Sequence, residues 1–172
     1  MIRKAVQSDI EKIEMIYNEI FKYEKENTCY TNWQKGLYPT IATAQKALDN
    51  DWLFVGEKDG EIYGSMVLNS VEPTEYANLD WGEVYKQEEI LVIHTLSVSP
   101  SFFGQGLGIE FVKFSENYAR ENGYKIIRLD TYEKNYPALK MYETLNYTYV
   151  GSTLFNFEGV IVETLKCFKK EF

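Results

Sequence analysis

The spacing of apolar residues changes repeatedly between the helical and the strand period, which predicts a domain built from both kinds of element. Residues 2–6 form a first strand pattern. Ser8 with Glu11 three positions later forms a capping-box pattern, which predicts the start of a helix. A weaker helical pattern covers 41–49. The first helix is indicated by Ile10, Ile13, Tyr17 and Ile20.

Two apolar runs on either side of Asp59-Gly60 predict a β-hairpin, because this dipeptide tolerates the positive φ angles of a tight turn. Residues 90–98 are apolar on both faces for most of their length, which favours a central strand covered on both sides. A glycine-rich turn, a helix ending at Gly123 and a strand over 125–131 follow. This order predicts one parallel strand–helix–strand crossover.

The remainder of the chain predicts a helix over 136–145 that ends at Asn146, and strands over 147–155 and 160–168 with a turn at Glu158-Gly159. The expected fold class is therefore α/β, with a mixed, mostly antiparallel central sheet, one parallel βαβ crossover and flanking helices. A single domain over 1–172 is expected, since 172 residues can bury a sufficient core.

Composition narrows the class of protein. The net charge of -8 disfavours nucleic acid as a partner, because that affinity comes from clustered Lys and Arg. Cys29, Cys167 and the single His94 have no metal-site spacing, so no metal is expected. The chain shows neither a signal-peptide pattern nor about 20 consecutive apolar residues, so we expect no membrane association and a cytoplasmic location.

Residues 71–89 are acidic and aromatic, with six acids opposed only by Lys86. This pattern predicts a long loop, with Tyr76, Trp81 and Tyr85 able to contact a cationic acceptor by cation–π interaction. The alternative is a solvated lid whose aromatic residues serve ordinary packing.

Gly104, Gly106 and Gly108 stand directly before a helix, where their amides can cradle an anion at the positive end of the helix dipole. The spacing excludes a P-loop, which needs GxxxxGK. A dinucleotide fingerprint also lacks its third glycine, because Ile109 stands three residues after Gly106, although Asp130 mimics the ribose-binding acid. A nicotinamide-dependent enzyme is kept as an alternative.

The segment from Ile93 to Gly151 resembles the GCN5-related N-acetyltransferase (GNAT) superfamily. Leu96–Pro100 is similar to the family's central strand, and Phe103–Gly108 to its Q/R-x-x-G-x-G/A pyrophosphate loop. Asn135, Ala138, Tyr142 and Leu145 resemble the family's Asn, helix and LYE segment. Phe103 departs from the usual Arg or Gln, and Asn146 from the frequent Gly.

The resemblance implies acetyl-CoA as cosubstrate, lying between the central strand and the next parallel strand. It places the pantetheine arm on the backbone of Leu96 and Val98 and the pyrophosphate on the loop amides. A bulge in the central strand would aim the Leu96 N–H at the thioester carbonyl as an oxyanion donor. Tyr142 matches the general acid. The implied coenzyme contacts are Leu96, Val98, Phe103, Gly104, Gln105, Gly106, Leu107, Gly108, Asn135, Ala138 and Tyr142.

The base stays open at this point. His94 is a candidate because the ordinary pKa of an imidazole, about 6.5, suits a base at neutral pH. Glu88 and Glu89, where the loop enters the same strand, are rival candidates. We expect an acetyl-CoA-dependent N-acetyltransferase that acts by direct attack of a primary amine, neutral to cationic, on a small molecule or peptide. The alternative is a non-enzymatic acyl-CoA-binding or regulatory module. A homodimer is compatible with the sequence.

Overall fold

A computed structural model describes residues 1–157 and 159–172. The helices are α1 (Ile10–Glu26), α2 (Ile41–Asp49), α3 (Leu107–Glu121) and α4 (Tyr136–Thr144). The strands are β1 (Ile2–Lys4), β2 (Leu53–Lys58), β3 (Glu61–Asn69), β4 (Ile90–Val98), β5 (Ile126–Tyr132), β6 (Thr148–Phe157) and β7 (Ile161–Glu171).

The strands form one seven-stranded sheet in the order β1-β2-β3-β4-β5-β7-β6. β1–β2, β2–β3, β5–β7 and β6–β7 pair antiparallel. β4 and β5 pair parallel, from Ile90↔Ile126 to Ile93↔Leu129, and α3 makes the crossover between them. The prediction of a mixed α/β sheet with one parallel βαβ crossover is confirmed.

The chain divides into two compact units. The first contains 1–28, 33–68 and 94–115, and the second contains 29–32, 69–93 and 116–172. β4 therefore begins in the second unit and ends in the first. The single domain over 1–172 stays a prediction.

In the first unit, the β2–β3 hairpin is confirmed, with Asp59 and Gly60 at φ angles of 53° and 79°. Positive values at both positions are those of a type I′ turn, whose twist matches the flanking strands. Gly64 of β3 lies against β4 so closely that a methyl group on it would be 2.3 Å from the Ser97 carbonyl oxygen. The core of this unit contains Ile10, Ile13, Tyr17, Ala44, Ala47, Leu53, Val55 and Val67.

The start of α1 differs from the prediction. The helix begins at Ile10, preceded by a 3-10 turn over Gln7–Asp9, and the capping box of Ser8 and Glu11 does not form. Instead the Asp9 carboxylate accepts the Val6 N–H at 2.9 Å and binds Arg3. Asp9 thus accepts the kind of bond that the sequence pattern assigned to Glu11, and the N-cap is Val6 instead of Ser8.

In the second unit, β7 lies between β5 and β6, so the last two strands pair with each other and only β7 pairs with β5. Asn146 follows α4 at φ 60°, and Gly123 follows α3 at φ 78°, as predicted for helix ends. The turn predicted at Glu158-Gly159 falls partly outside the described residues, since Glu158 is not among them. The core of this unit contains Tyr76, Trp81, Ile90, Val92, Ile126 and Cys167.

Candidate active site

The end of β4 carries a distorted backbone directly before Leu96. Thr95 has a φ angle of 49°, a conformation that is rare for a β-branched residue. Its hydroxyl is 2.5 Å from that of Tyr38, which belongs to the segment between α1 and α2. The ring of Trp33 packs edge-on against Tyr38 at 6.1 Å and against Tyr17 of α1 at 6.4 Å. An aromatic cluster within the first unit therefore supports the strained residue.

The turn after β4 presents the backbone of a helix start. Gly104 and Gly106 have φ angles of 78° and 75°, and a methyl group on either would meet no atom within 4 Å. Gly108 lies in the first turn of α3, which begins at Leu107. The turn thus fits a phosphate group, because open space lies beside Gly104 and Gly106 at the positive end of a 15-residue helix.

Side chains around this turn define what else a phosphate would meet. Phe103 is exposed and contacts the Tyr23 ring edge-on at 5.3 Å. Gln105 accepts a hydrogen bond from Lys58 Nζ at 2.9 Å, whereas the Leu107 side chain is buried in the core. Lys58 was missed by sequence reasoning, because it is distant along the chain. It brings a positive charge to a turn that has no basic residue of its own.

In the second unit, Asn135 caps α4 by accepting a hydrogen bond from the Ala138 N–H at 3.3 Å. Tyr142 lies one turn further on and is buried between the rings of Tyr147 and Phe168, each 5.7 Å away. Burial, and then the nearby Asp130 carboxylate, raise the pKa of the Tyr142 phenol. Its hydroxyl is therefore protonated at neutral pH.

Sequence reasoning gave Asp130 a role only in the alternative of a dinucleotide site. Its carboxylate accepts a hydrogen bond from the Tyr76 hydroxyl at 2.8 Å. Burial raises its pKa to about 6, while the Tyr76 hydrogen bond lowers it and Glu75 raises it. Opposite it on β7 is the buried Cys167, whose pKa burial and Asp130 raise to about 12. The sequence signal was a lone carboxylate at the end of an apolar strand.

A second carboxylate in this unit has a similar environment. Glu163 of β7 accepts a hydrogen bond from Asn32 Nδ2 at 2.8 Å. Burial raises its pKa, the Asn32 hydrogen bond lowers it, and the charge of Asp130 raises it. The two carboxylates therefore influence each other.

The aromatic residues of the acidic loop lie inside the second unit. Tyr76 and Trp81 are 2% and 7% exposed, and Trp81 Nε1 donates to the Tyr76 carbonyl at 2.9 Å. The guanidinium of Arg128 lies 4.5 Å from the Trp81 ring centre and binds Glu72. The cation that contacts the Trp81 ring is therefore Arg128 of the same chain. A contact of Tyr76, Trp81 or the half-buried Tyr85 with an acceptor stays a prediction.

The three predicted bases have different surroundings. His94 is half-buried on β4, and Glu88 is exposed. Glu89 Oε2 accepts the Lys86 N–H at 2.9 Å, which caps a short 3-10 turn. A role for each of them as base stays a prediction.

Comparison with known proteins places this fold and its glycine turn in one family. The model of the Acetyltransferase (GNAT) family matches residues 12–147. The chain belongs to the GNAT acetyltransferase family. An uncharacterized N-acetyltransferase of Archaeoglobus fulgidus is 26% identical over 143 residues, which are 82% of this chain and 88% of that protein. The dinucleotide alternative has no support in this family.

Solved structures share the GNAT fold over the whole chain. A GNAT acetyltransferase from Streptococcus agalactiae has a TM-score of 0.80 at 20% identity, covering 100% of this chain and 95% of that one. The structure of yncA from Salmonella typhimurium with its cofactor acetyl-CoA has a TM-score of 0.70 at 16% identity, covering 99% and 92%.

The described residues of this GNAT protein contain no group of three or more His, Cys, Asp and Glu side chains that could hold a metal ion. No helix among them is long and apolar enough to cross a membrane.

Proposed function

We propose that this GNAT protein transfers the acetyl group of acetyl-CoA to a primary amine of a small molecule or peptide by direct attack. The observation that carries the proposal is the open glycine turn at the start of α3, which directly follows the strand with the left-handed Thr95. We place the protein in the cytoplasm and keep a homodimer as a prediction.

The residues present fit the coenzyme. The amides of Gly104, Gly106 and Gly108 would hold its pyrophosphate, with the backbone of Gln105 and Leu107 between them. Lys58 would add positive charge, which offsets the loss of the family's Arg or Gln at Phe103. Following the family motif, the backbone of Leu96 and Val98 would hold the pantetheine arm, while Asn135, Ala138 and Tyr142 would contact the coenzyme.

Acetyl-CoA supplies a thioester, whose carbonyl carbon an amine attacks with expulsion of a thiolate. In this chain the Leu96 N–H is the proposed donor to the carbonyl oxygen. Thr95 immediately before it turns the backbone out of the regular strand, and a fixed donor of this kind stabilises developing negative charge without reorganisation. Removing one such donor in enzymes costs about 100-fold or more in turnover.

Tyr142 is the proposed general acid for the leaving sulfur. A proton donor must be protonated before the reaction, and burial keeps the Tyr142 phenol in that state by raising its pKa. Placing the hydroxyl in a buried position also means that water does not compete for its proton.

The acceptor is proposed to be neutral to cationic. Glu83 and Glu88 of the acidic loop are exposed, whereas Glu72 is already paired with Arg128. The exposed acids would attract a positively charged amine, and this attraction weakens with salt.

The direct test mixes the protein with acetyl-CoA and a panel of neutral and cationic primary amines and follows release of free thiol. Amine-dependent release together with an acetylated product supports the proposal. Saturable binding of acetyl-CoA by calorimetry without amine-dependent release favours the non-enzymatic acyl-CoA-binding module instead.

The replacement Tyr142→Phe tests the acid. It should lower turnover by about 100-fold, because a positioned proton donor contributes at least that much. It should leave the affinity for acetyl-CoA nearly intact, because the ring stays and only the hydroxyl is lost. The neighbouring Tyr147→Phe is the matched control, since it removes another buried phenol hydroxyl from a ring packed against Tyr142. Equal turnover of the two variants would contradict the assignment of Tyr142.

A further inference from the structure

Asp130 occupies a distinctive place on β5. The parallel pairing of β4 and β5 ends at Ile93↔Leu129, so Asp130 is the first residue of β5 after the last parallel pair. On its other side β5 continues to pair with β7 as far as Tyr132. In open α/β sheets, ligands bind at the carboxyl ends of parallel strands, where neighbouring strands part. Asp130 is the acidic residue of β5 at that point.

Among the described residues, the Asp130 carboxylate has a hydrogen-bond donor but forms no ion pair. The Tyr76 hydroxyl donates to it at 2.8 Å, and Tyr76 is itself fixed because its carbonyl accepts the Trp81 Nε1–H at 2.9 Å. The ion pairs of the described residues involve other acids, namely Asp9, Asp51, Glu57, Glu72, Glu116 and Glu171. A half-buried carboxylate without a direct counter-ion favours the arrival of a cation or a proton.

The groups that face Asp130 come from three elements and add negative charge or phenol hydroxyls. Tyr76 and Glu75 lie on the 3-10 turn of the acidic loop, Cys167 and Glu163 on β7, and Tyr142 on α4. None of these is a cation. Arg128, two residues earlier on the same face of β5, is a cation, but its charge is paired with Glu72. Asp130 is therefore near the proposed acid Tyr142, within one unit of the molecule.

We propose that Asp130 is the base that takes the proton of the acceptor amine and that the Tyr76 hydroxyl holds its carboxylate in place for this step. The inference rests on the proposed function and adds the base which that function needs. As the C–N bond forms, the acceptor nitrogen becomes positively charged, and it then offers Asp130 both a charge and a proton.

The proton balance is complete. An acceptor that arrives as an ammonium ion first gives one proton to water, which frees the nitrogen lone pair. As that lone pair forms the C–N bond, one N–H bond breaks and its proton goes to an Asp130 carboxylate oxygen. The C–S bond breaks with its electron pair on sulfur, which takes the proton of Tyr142. The proton on Asp130 returns to Tyr142 or to water. No oxidant or reductant enters the step.

A carboxylate suits this step because the attacking nitrogen becomes strongly acidic as its bond to carbon forms. Burial raises the pKa of Asp130 to about 6, so its affinity for a proton is about 100-fold above that of an ordinary Asp. It is nevertheless ionised at neutral pH and ready to accept the proton. Below pH 6 it becomes protonated, and the rate should fall with pH.

The first experiment compares the native protein with Asp130→Asn. We expect turnover at pH 8 to fall about 100-fold, with unchanged acetyl-CoA affinity by calorimetry. The fall in kcat/KM that the native protein shows on the acid side of about pH 6 should be missing from the residual activity of the variant. We call this fall of kcat/KM at acid pH the acid limb. A variant with the turnover and the acid limb of the native protein would overturn the inference.

Two gentler variants test the same carboxylate from opposite directions. Tyr76→Phe removes the hydrogen bond that stabilises the charged form, so it should move the acid limb to higher pH. Glu75→Gln removes a neighbouring negative charge, so it should move the limb to lower pH. If these side chains had a purely structural role, the variants would change the melting temperature but would not shift the pH of the acid limb in opposite directions.

Tyr124→Phe is the control, since it removes a phenol hydroxyl before the other end of β5 and should leave the limb in place. If the acid limbs of the Tyr76→Phe and Glu75→Gln variants lie at the same pH, the inference is overturned, even if the Asp130 variant fails to fold. If the native protein binds acetyl-CoA but transfers nothing to any amine, the proposed function fails instead. Native transfer with an unchanged Asp130→Asn variant would refute only the base.

Discussion

Single residues in this protein are held by partners that lie far away along the chain. Thr95 pairs with Tyr38, Asp130 with Tyr76 and Gln105 with Lys58. A pattern in sequence finds residues that repeat at a fixed spacing, and none of these pairs does. The glycine turn and Tyr142 could be predicted because their motif is local, whereas Asp130 acquired a setting only through the loop that covers it.

The pair of Tyr38 and Thr95 gives a test at this scale. Tyr38→Phe should lower turnover by about 5-fold, since one hydrogen bond of about 1 kcal/mol no longer supports the left-handed Thr95 before Leu96. Thr95→Gly should retain most of the activity, because glycine adopts a positive φ without strain.

The double variant of Tyr38 and Thr95 is the control. In the Thr95→Gly background, Tyr38→Phe should change turnover very little, as measured by thiol release at saturating substrate. Equal losses in both backgrounds would show that Tyr38 acts elsewhere.

At the scale of elements, the sequence predicted what local chemistry determines. The hairpin at Asp59-Gly60, the central strand and the ends of α3 and α4 follow from turn residues and hydrophobic period. The insertion of β7 between β5 and β6 could not be foreseen, because strand order depends on contacts between distant segments. The sequence left open whether the aromatic residues of the loop contact an acceptor or serve packing, and their burial depends on core neighbours that come later in the chain.

The glycine turn provides the prediction at this scale. Gly106→Ala should cost about 1 kcal/mol of unfolding free energy, because alanine is strained at a φ angle of 75°. It should also weaken acetyl-CoA binding, since the new methyl group enters the open space beside the amides.

Gly123→Ala offers a matched comparison, with a φ angle of 78° and equally open surroundings. It should lose similar stability in denaturant titration and keep its affinity for acetyl-CoA by calorimetry. Equal affinities of the two variants would argue against a phosphate site at Gly106.

For the whole molecule, the candidate site has a cost in stability. The pKa of Asp130 is raised to about 6 in the folded protein from an ordinary value of 3.8. Between these values the folded state binds more protons than the unfolded state, so stability falls as pH rises and the full penalty is present above about pH 6. A neutral side chain at this position avoids that penalty.

Asp130→Asn should therefore be more stable than the native protein at pH 8, by about 1–2 kcal/mol. Denaturant titrations at pH 8, 6 and 4 measure the difference, which should shrink as the pH falls toward 4. A variant that is less stable at pH 8 would indicate that Asp130 serves the fold rather than the reaction.

The two cysteines differ in their accessibility to a thiol-modifying reagent. Cys29 is exposed, whereas Cys167 is buried on β7 with a pKa raised to about 12. A thiol-modifying reagent can thus react with Cys29 in the native state but must wait for β7 to open before it reaches Cys167. The delay between the two modifications would measure the rate of local opening of β7, without any introduced probe.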